Sequence, residues 1–142
     1  MTLRLEHANI CVSDVEAMIK FLTTAFPEFT VRGGGKSSKG QWVHVGTAET
    51  YIALSEAKTD ANRDFAPYTG QPGVNHLGYE VDDVDSLRER LITAGYREST
   101  VPNSHRQRKR VYFYDTEGND WEFIQYFSED PTKRNDYETP DS

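Results

Sequence analysis

The sequence predicts an α+β fold in which two βαβββ modules form a curved mixed sheet with helices on its outer face. Three observations predict it. Residues 4–26 align without a gap on residues 73–95, and seven of the 19 positions from 7 to 25 are identical at this shift of 69. In both copies, apolar residues first recur at every second position and then at helical spacing. Three further strand-like runs follow each helix, which indicates a duplicated module.

One domain over residues 3–127 is predicted, followed by a polar tail that we expect to be mobile or to lie over a partner. The segment between the modules contains prolines and glycines, which is typical of a linker. The expected bounds of the first module, linker, second module and tail are 3–56, 57–73, 74–127 and 128–142.

The first strand and the helix of each module are predicted from their periodicity. Every second residue over 6–12 and over 75–81 is apolar, which is the pattern of a half-buried strand. Asp14 and Asp83 then stand where an N-cap is expected, since a carboxylate there accepts the free N–H groups of the first helical turn. We therefore expect a helix to start directly after each of these aspartates.

Three strands are expected to close each module. The run Gly33-Gly34-Gly35 is predicted to be a flexible hairpin loop, and Pro102-Asn103 is predicted to separate two strands of the second module. The expected strands are 28–33, 41–47 and 50–56 in the first module and 96–101, 108–115 and 119–127 in the second.

Composition excludes several classes of protein. The chain has 142 residues, a net charge of −7 and a single cysteine. The negative charge argues against nucleic-acid binding, which needs clustered positive charge, and no apolar run approaches the length of a membrane span. One cysteine excludes an internal disulfide and fits a reducing compartment. We therefore expect a cytoplasmic domain, without nucleic-acid or membrane partners, that acts on a small molecule.

Strand alternation predicts which face of the sheet carries polar side chains. Because the helices must cover the apolar face, His7 and His76 are expected on the opposite one. In the last strand, Trp121 and Phe123 are expected to pack against the helix, so Glu122 points the other way. His7, His76 and Glu122 are therefore predicted to share one surface.

Two imidazoles and one carboxylate are a suitable ligand set for one divalent ion per site, of Mn, Fe, Co, Ni or Zn, with positions left open for substrate. At the shift of 69, Glu122 corresponds to Ala53. The alternative is that the histidines are structural and the glutamate is a solvated charge. His44 is predicted to point to the helix side with Trp42, and His105 to lie in a loop, so that neither is a ligand.

A basic run over 105–110 stands out in this acidic chain. Arg108 and Arg110 share strand parity with Tyr112 and are expected to point towards the metal, where a guanidinium can hold a carboxylate or phosphate bidentately. The alternative is a solvated hairpin whose charge discourages edge pairing.

The chain resembles the vicinal oxygen chelate superfamily in three features. These are the paired modules, the candidate ligands on the first and last strand of each, and the stretch YFYDTEGNDWEFIQ. This superfamily includes glyoxalases, extradiol dioxygenases, fosfomycin-resistance transferases and bleomycin-binding proteins. The resemblance covers about residues 3–127 and implies that His7, His76 and Glu122 bind the metal. It also matches Tyr112 to a substrate-side tyrosine of the fosfomycin branch and Tyr51 to a pocket aromatic.

Ala53 separates the branches of this family. Lactoylglutathione lyases carry a carboxylate or amide there and methylmalonyl-CoA epimerases a glutamine, whereas a small residue resembles the fosfomycin branch and the extradiol metal centre. The potassium-binding loop of the fosfomycin branch is replaced by Asn103-Ser104-His105-Arg106.

The ligand set predicts a metal-dependent enzyme that acts on a small, oxygen-chelating, anionic molecule, and the resemblance implies lyase, isomerase, thiol-transferase or dioxygenase chemistry. Glu80 is one candidate for a general base. The resemblance further implies a homodimer whose sites are shared between subunits. The alternative is a non-catalytic drug-binding protein of the bleomycin-resistance type, which the net negative charge suits. The roles expected are catalysis for Glu122 and Tyr112 and substrate binding for Asn9, Tyr51, Arg108 and Arg110.

Overall fold

A computed structural model of the chain describes residues 3–58 and 65–141, so residues 59–64 of the predicted linker lie outside the described residues. The chain divides into two compact units, residues 1–64 and 65–142. Each unit contains a strand, a helix and three further strands in that order, and the second unit ends in an additional short helix. The predicted α+β class and the two βαβββ modules are confirmed.

The first unit has one helix and a four-stranded mixed sheet. The sheet has the order β1-β4-β3-β2, in which β1 runs parallel to β4 and the other neighbours are antiparallel. The elements are β1 (His7–Val12), α1 (Val15–Ala25), β2 (Thr30–Ser37), β3 (Gly40–Gly46) and β4 (Tyr51–Glu56).

The second unit repeats this arrangement. Its sheet has the order β5-β8-β7-β6, again with the first and last strands parallel and adjacent. The elements are β5 (His76–Glu80), α2 (Val84–Thr93), β6 (Glu98–His105), β7 (Arg108–Tyr114), β8 (Asp120–Tyr126) and α3 (Pro131–Arg134).

The predicted helix starts are confirmed. The Asp14 carboxylate accepts the backbone N–H of Ala17 at 3.0 Å, and the Asp83 carboxylate accepts that of Ser86 at the same distance. Both caps satisfy a donor that has no partner within the helix. Each helix therefore begins one residue after its aspartate.

Each helix covers one face of its own sheet, and the apolar side chains between them form the core. Trp121 and Phe123 are fully buried there, as predicted, because alternation turns them away from Glu122. The opposite face of each sheet, called the polar face below, carries the candidate histidines together with buried Tyr51 and Ala53 in the first unit. Fully buried side chains include Met18, Phe21, Leu22, Val45 and Leu54 in the first unit and Leu87, Leu91, Val111 and Phe113 in the second.

The predicted glycine loop is wrong, because Gly33, Gly34 and Gly35 lie inside the exposed edge strand β2. Two of the three glycines lie close to Trp42 on the neighbouring strand. A Cβ at Gly34 would lie 2.7 Å from the Trp42 carbonyl oxygen, and one at Gly35 would lie 3.1 Å from the indole nitrogen. Gly34 and Gly35 therefore give the strand room beside Trp42, whereas a Cβ at Gly33 would meet no atom within 4 Å.

Two expectations for the second module are also corrected. Pro102 and Asn103 do not separate strands but lie within β6, where the register with β7 shifts between Thr100 and Asn103. An edge strand tolerates proline because its outer N–H groups need no ladder partner. His105 is the buried last residue of β6 and not part of a loop, and its Nδ1 accepts the amide hydrogen of Gln107 at 3.0 Å.

The turn between β7 and β8 is organised by one buried carboxylate. Asp115 accepts the backbone N–H groups of Glu117 and Asn119 at 2.8 and 2.9 Å and the indole N–H of Trp121 at 2.9 Å. Gly118 supplies the left-handed conformation, with φ +83°. This turn fixes the register that places Tyr112 opposite Glu122.

The tail was expected to be mobile or to lie over a partner. Its described residues instead pack on the second unit of the same chain. Helix α3 is capped by Asp130, and Arg134 pairs with Glu80 on β5. In the part of the chain that the structure covers, no helix is both long and apolar enough to cross a bilayer.

Replacing Asp115 by alanine should lower the free energy of unfolding by about 1–3 kcal/mol, because buried donors lose their acceptor. Urea unfolding followed by tryptophan fluorescence measures the change. The exposed Asp82→Ala variant serves as the control. Equal unfolding midpoints for the two variants would contradict this role for Asp115.

Candidate metal and anion site

His76 and Glu122 meet on the polar face of the second sheet. The parallel register of β5 and β8 places His76 beside Asp120 and Gly78 beside Glu122. The His76 Nε2 atom lies 2.9 Å from Glu122 Oε2. A Cβ at Gly78 would lie 3.9 Å from that oxygen, in ordinary van der Waals contact, so Gly78 packs beside the carboxylate.

Both candidate histidines are oriented by the residue before them. His76 Nδ1 lies 2.7 Å from Asn75 Oδ1, and His7 Nδ1 lies 2.8 Å from Glu6 Oε1. A proton on Nδ1 leaves Nε2 as the ring nitrogen that can bind a metal. At His76, the 2.9 Å contact of Nε2 with Glu122 Oε2 is a hydrogen bond that a metal ion would replace. An oxygen acceptor at Nδ1, behind the ring, is what holds a metal-binding histidine in place.

Glu6 and Asn75 were not identified from the sequence, although the signal was present. The two residues are related by the same shift of 69 that relates His7 to His76. The side chains of His7 and His76 are 44% and 34% exposed, so both can be reached from solvent. Orientation of the imidazole is thus a repeated feature of the module.

The donor atoms present fit a first-row divalent ion. Ligand bonds of about 2.1 Å at right angles separate two donors by about 3 Å, close to the observed spacing of His76 Nε2 and Glu122 Oε2. His7 belongs to the other unit. Within residues 3–58 and 65–141, no group of three or more His, Cys, Asp or Glu side chains forms a metal cluster. Each unit therefore carries part of the predicted ligand set.

The polar face of the first sheet carries a row of stacked rings. Tyr51 stacks on His7 at 4.7 Å and on His44 at 4.6 Å between ring centroids. The Arg32 guanidinium lies 4.1 Å above the Tyr51 ring, within range of a cation–π interaction. Asn9, also expected to bind substrate, accepts a hydrogen bond from Ser55 at 3.1 Å.

The predicted orientation of His44 is wrong, because it shares the face of His7 and Tyr51. Trp42 was taken as a core residue but is 40% exposed and belongs to the same polar face. The β3–β4 turn is also one residue shorter than the β7–β8 turn. His44 therefore lies opposite Ala53 as Tyr112 lies opposite Glu122.

Arg110 and Tyr112 flank Glu122 as strand parity predicts. The Arg110 Nε–H donates to Glu122 Oε1 at 2.8 Å, while the other carboxylate oxygen faces His76. Burial and the nearby Glu122 charge raise the pKa of Tyr112 to about 12. The Tyr112 hydroxyl is thus protonated at neutral pH and can donate a hydrogen bond but cannot act as a base.

Arg108 has the predicted parity, and its guanidinium is engaged by the chain's own tail. It is 4% exposed and donates to the Asp136 carbonyl at 2.7 Å and to Asp141 Oδ1 at 3.1 Å. The second Asp141 oxygen accepts from Arg110. No local sequence pattern indicates the Asp141 contacts, because this residue lies 33 positions from Arg108 and 31 from Arg110.

Two further carboxylates of this face are already bound. Glu80 forms a two-point ion pair with Arg134 at 2.8 and 2.9 Å, and the hydrogen bonds from Arg134 lower the Glu80 pKa. Buried Asp120 accepts the hydroxyl groups of Tyr68 and Ser99. Glu80 is therefore a weak base and an anchor for the tail, which argues against the base role considered for it.

Comparison with known proteins agrees with the fold. The family model described as the Glyoxalase/Bleomycin resistance protein/Dioxygenase superfamily matches residues 4–123. No curated protein matches the chain significantly.

Three solved structures show the same fold at low sequence identity. A glyoxylase/bleomycin resistance protein/dioxygenase domain from Frankia sp. EAN1pec is 20% identical, covering 89% of this chain and 99% of its own, with a TM-score of 0.73. The fosfomycin resistance protein FosX from Mesorhizobium loti is 21% identical, covering 87% and 91%, with a TM-score of 0.63. A FosX mutant from Listeria monocytogenes, solved with Mn(II) and 1S,2S-dihydroxypropylphosphonic acid, is 20% identical, covering 87% and 92%, with a TM-score of 0.63.

The Tyr112 hydroxyl should stay largely protonated up to about pH 11, whereas an ordinary tyrosine is half ionised at about pH 10. The Cζ chemical shift of isotope-labelled tyrosine measures this, and the Tyr112→Phe variant assigns the resonance. Free tyrosine, whose pKa is about 10, is titrated in the same buffer as the reference. A Tyr112 signal that moves together with that of free tyrosine would contradict the assigned environment.

Proposed function

Because the chain belongs to the glyoxalase/bleomycin resistance protein/dioxygenase superfamily, we propose that it is a metal-dependent enzyme acting on a small, anionic, oxygen-chelating molecule. The observation that carries this proposal is the 2.9 Å approach of His76 Nε2 to Glu122 Oε2, on an imidazole whose Nδ1 is held by Asn75. His7, held by Glu6 in the same way, supplies the third ligand. The complete set thus draws on both modules, and we propose a homodimer in which subunits share sites.

Each named side chain has a task in this proposal. His7, His76 and Glu122 would hold a divalent ion (Mn, Fe, Co, Ni or Zn), which would polarise the substrate oxygens and stabilise negative charge on them. Arg110 holds Glu122 in place and, with Arg108, binds the anionic group of the substrate. Tyr112 donates a hydrogen bond from its protonated hydroxyl. Asn9 and Tyr51 contribute the polar face of the first module.

The state of the acidic groups favours polarisation of the substrate over removal of a proton from carbon. Glu80 is paired with Arg134, Asp120 accepts two hydroxyl groups, and Tyr112 keeps its proton. Addition to an activated electrophile is therefore favoured over isomerisation through an enediolate. The complex of the FosX mutant with Mn(II) and a phosphonic acid diol supports the proposed ligand chemistry of a metal and an anion with adjacent oxygens.

A second candidate function is non-catalytic binding of a cationic drug. The exposed indole of Trp42 on the polar face of the first module favours it, since aromatic faces bind cations. The net charge of −7 also suits such a ligand. Metal analysis after dialysis separates the two, because a drug-binding protein would retain less than about 0.2 ion per chain.

Replacing His76 or His7 by alanine should weaken Mn²⁺ binding more than about 100-fold, a larger loss than removal of an outer partner causes. His44→Ala, on the same face as His7, is the matched control and should retain the ion. Calorimetric titration with Mn²⁺ measures affinity.

Turnover is screened on epoxides, 2-oxoaldehyde–thiol adducts and catechols. Unchanged metal binding or unchanged turnover in His76→Ala would refute the proposed enzyme.

Replacing Asn75 by leucine should weaken Mn²⁺ binding by about 10–100-fold, because the His76 ring loses the acceptor that orients it. The affinity is measured by the same titration. Asn75→Asp, which keeps an oxygen acceptor at Nδ1, should retain most of the affinity. Equal losses in both variants would show that Asn75 does not act through the imidazole.

A further inference from the structure

The tail lies across the polar face of the second unit. Arg134 of α3 forms the two-point ion pair with Glu80, and its guanidinium lies 4.0 Å above the ring of Tyr126. These contacts hold α3 at one end of the face that also presents His76 and Glu122. The residues after α3 are thereby directed along this face.

The end of the tail reaches the two arginines of the candidate site. The Asp141 carboxylate accepts from Arg108 Nη2 at 3.1 Å through one oxygen and from Arg110 Nη1 through the other. The Arg108 and Arg110 side chains are only 5% and 18% exposed, and Asp141 is 24% exposed. Arg108 also donates to the Asp136 carbonyl, so the chain is held just before its end.

This arrangement is the one expected for a bound ligand. One carboxylate bridges two partly buried guanidinium groups, which is the geometry in which arginines recognise carboxylate, phosphonate and phosphate groups. Arg110 bonds to Glu122 at the same time, so only one guanidinium separates the Asp141 carboxylate from the proposed metal ligand. The charges of Arg108, Arg110 and Glu122 leave one net positive charge, which can attract an incoming anion once Asp141 has moved away.

We propose that Asp141 is an internal ligand of an oxyanion subsite formed by Arg108 and Arg110, and that an anionic substrate must displace it. The inference rests on the proposed function for the identity of the substrate, whose anionic group would take the place of the Asp141 carboxylate. Only the segment after Asp136 has to move, because the Glu80–Arg134 pair anchors α3 independently. The tail therefore lowers affinity for weak anions and yields to a ligand that also binds the metal.

The test uses the full chain without added metal and inorganic phosphate as the probe. Asp141→Asn should bind phosphate about tenfold more tightly than the unaltered chain, because the fraction of open subsite rises. Glu138→Gln removes the same charge from an exposed position of the tail and should leave the affinity unchanged. Equal phosphate affinities for Asp141→Asn and Glu138→Gln would overturn the proposal.

A second measurement reports on the tail itself. In the unaltered chain, saturating phosphate should move the amide resonances of Tyr137, Glu138, Thr139 and residue 141 towards random-coil values, and Asp141→Asn should show such values without phosphate. Arg110→Gln should abolish both phosphate binding and its effect on the tail. Phosphate that binds without moving these resonances, or that binds no variant, would refute the internal ligand. The Mn²⁺ affinity of the same variants separates that result from failure of the proposed metal site.

Discussion

The parallel pairing of the first and last strands of each module is the constraint on which the rest of the structure depends. It makes neighbours of His76 and Glu122, which are 46 residues apart in sequence. Because side chains alternate along a strand, the same pairing sends Trp121 and Phe123 to the helix and Glu122 to the polar face. The core and the candidate site are thus two consequences of one register, and the buried Asp115 carboxylate helps to hold it.

Charge compensation around Glu122 links the proposed metal site to the proposed anion site. Its two oxygens face His76 and Arg110, so the carboxylate of the proposed ligand set also orders an arginine. Arg110 also pairs with one oxygen of the Asp141 carboxylate, and Arg108 pairs with the other. A change at any of these residues alters the others, because each carboxylate and guanidinium is shared between two partners.

Much of the fold and part of the site could be predicted from the sequence. The repeat, the two aspartate caps and the alternation around Glu122 are local or periodic signals, and the structure agrees with them. His44 was misassigned because a tryptophan was taken as a core residue, and a parity error reverses every side chain on a strand. The glycine run was misread as a loop because the close approach of Trp42 to Gly34 and Gly35 comes from a neighbouring strand and has no local signal in the sequence.

The tail contacts had no such signal. Ion pairs such as Glu80–Arg134 and Arg108–Asp141 join residues that are distant in sequence, and they follow no period. The outer partners of the histidines were a different case, since Glu6 and Asn75 are related by the repeat. Comparison of the two modules position by position would have identified that pair.

The central claim, that imidazoles from both modules bind one ion, is tested most directly by X-ray absorption spectroscopy at the metal edge of the loaded protein. The account predicts two imidazole nitrogens per ion, together with oxygen ligands. A coordination shell with one imidazole or none would contradict it.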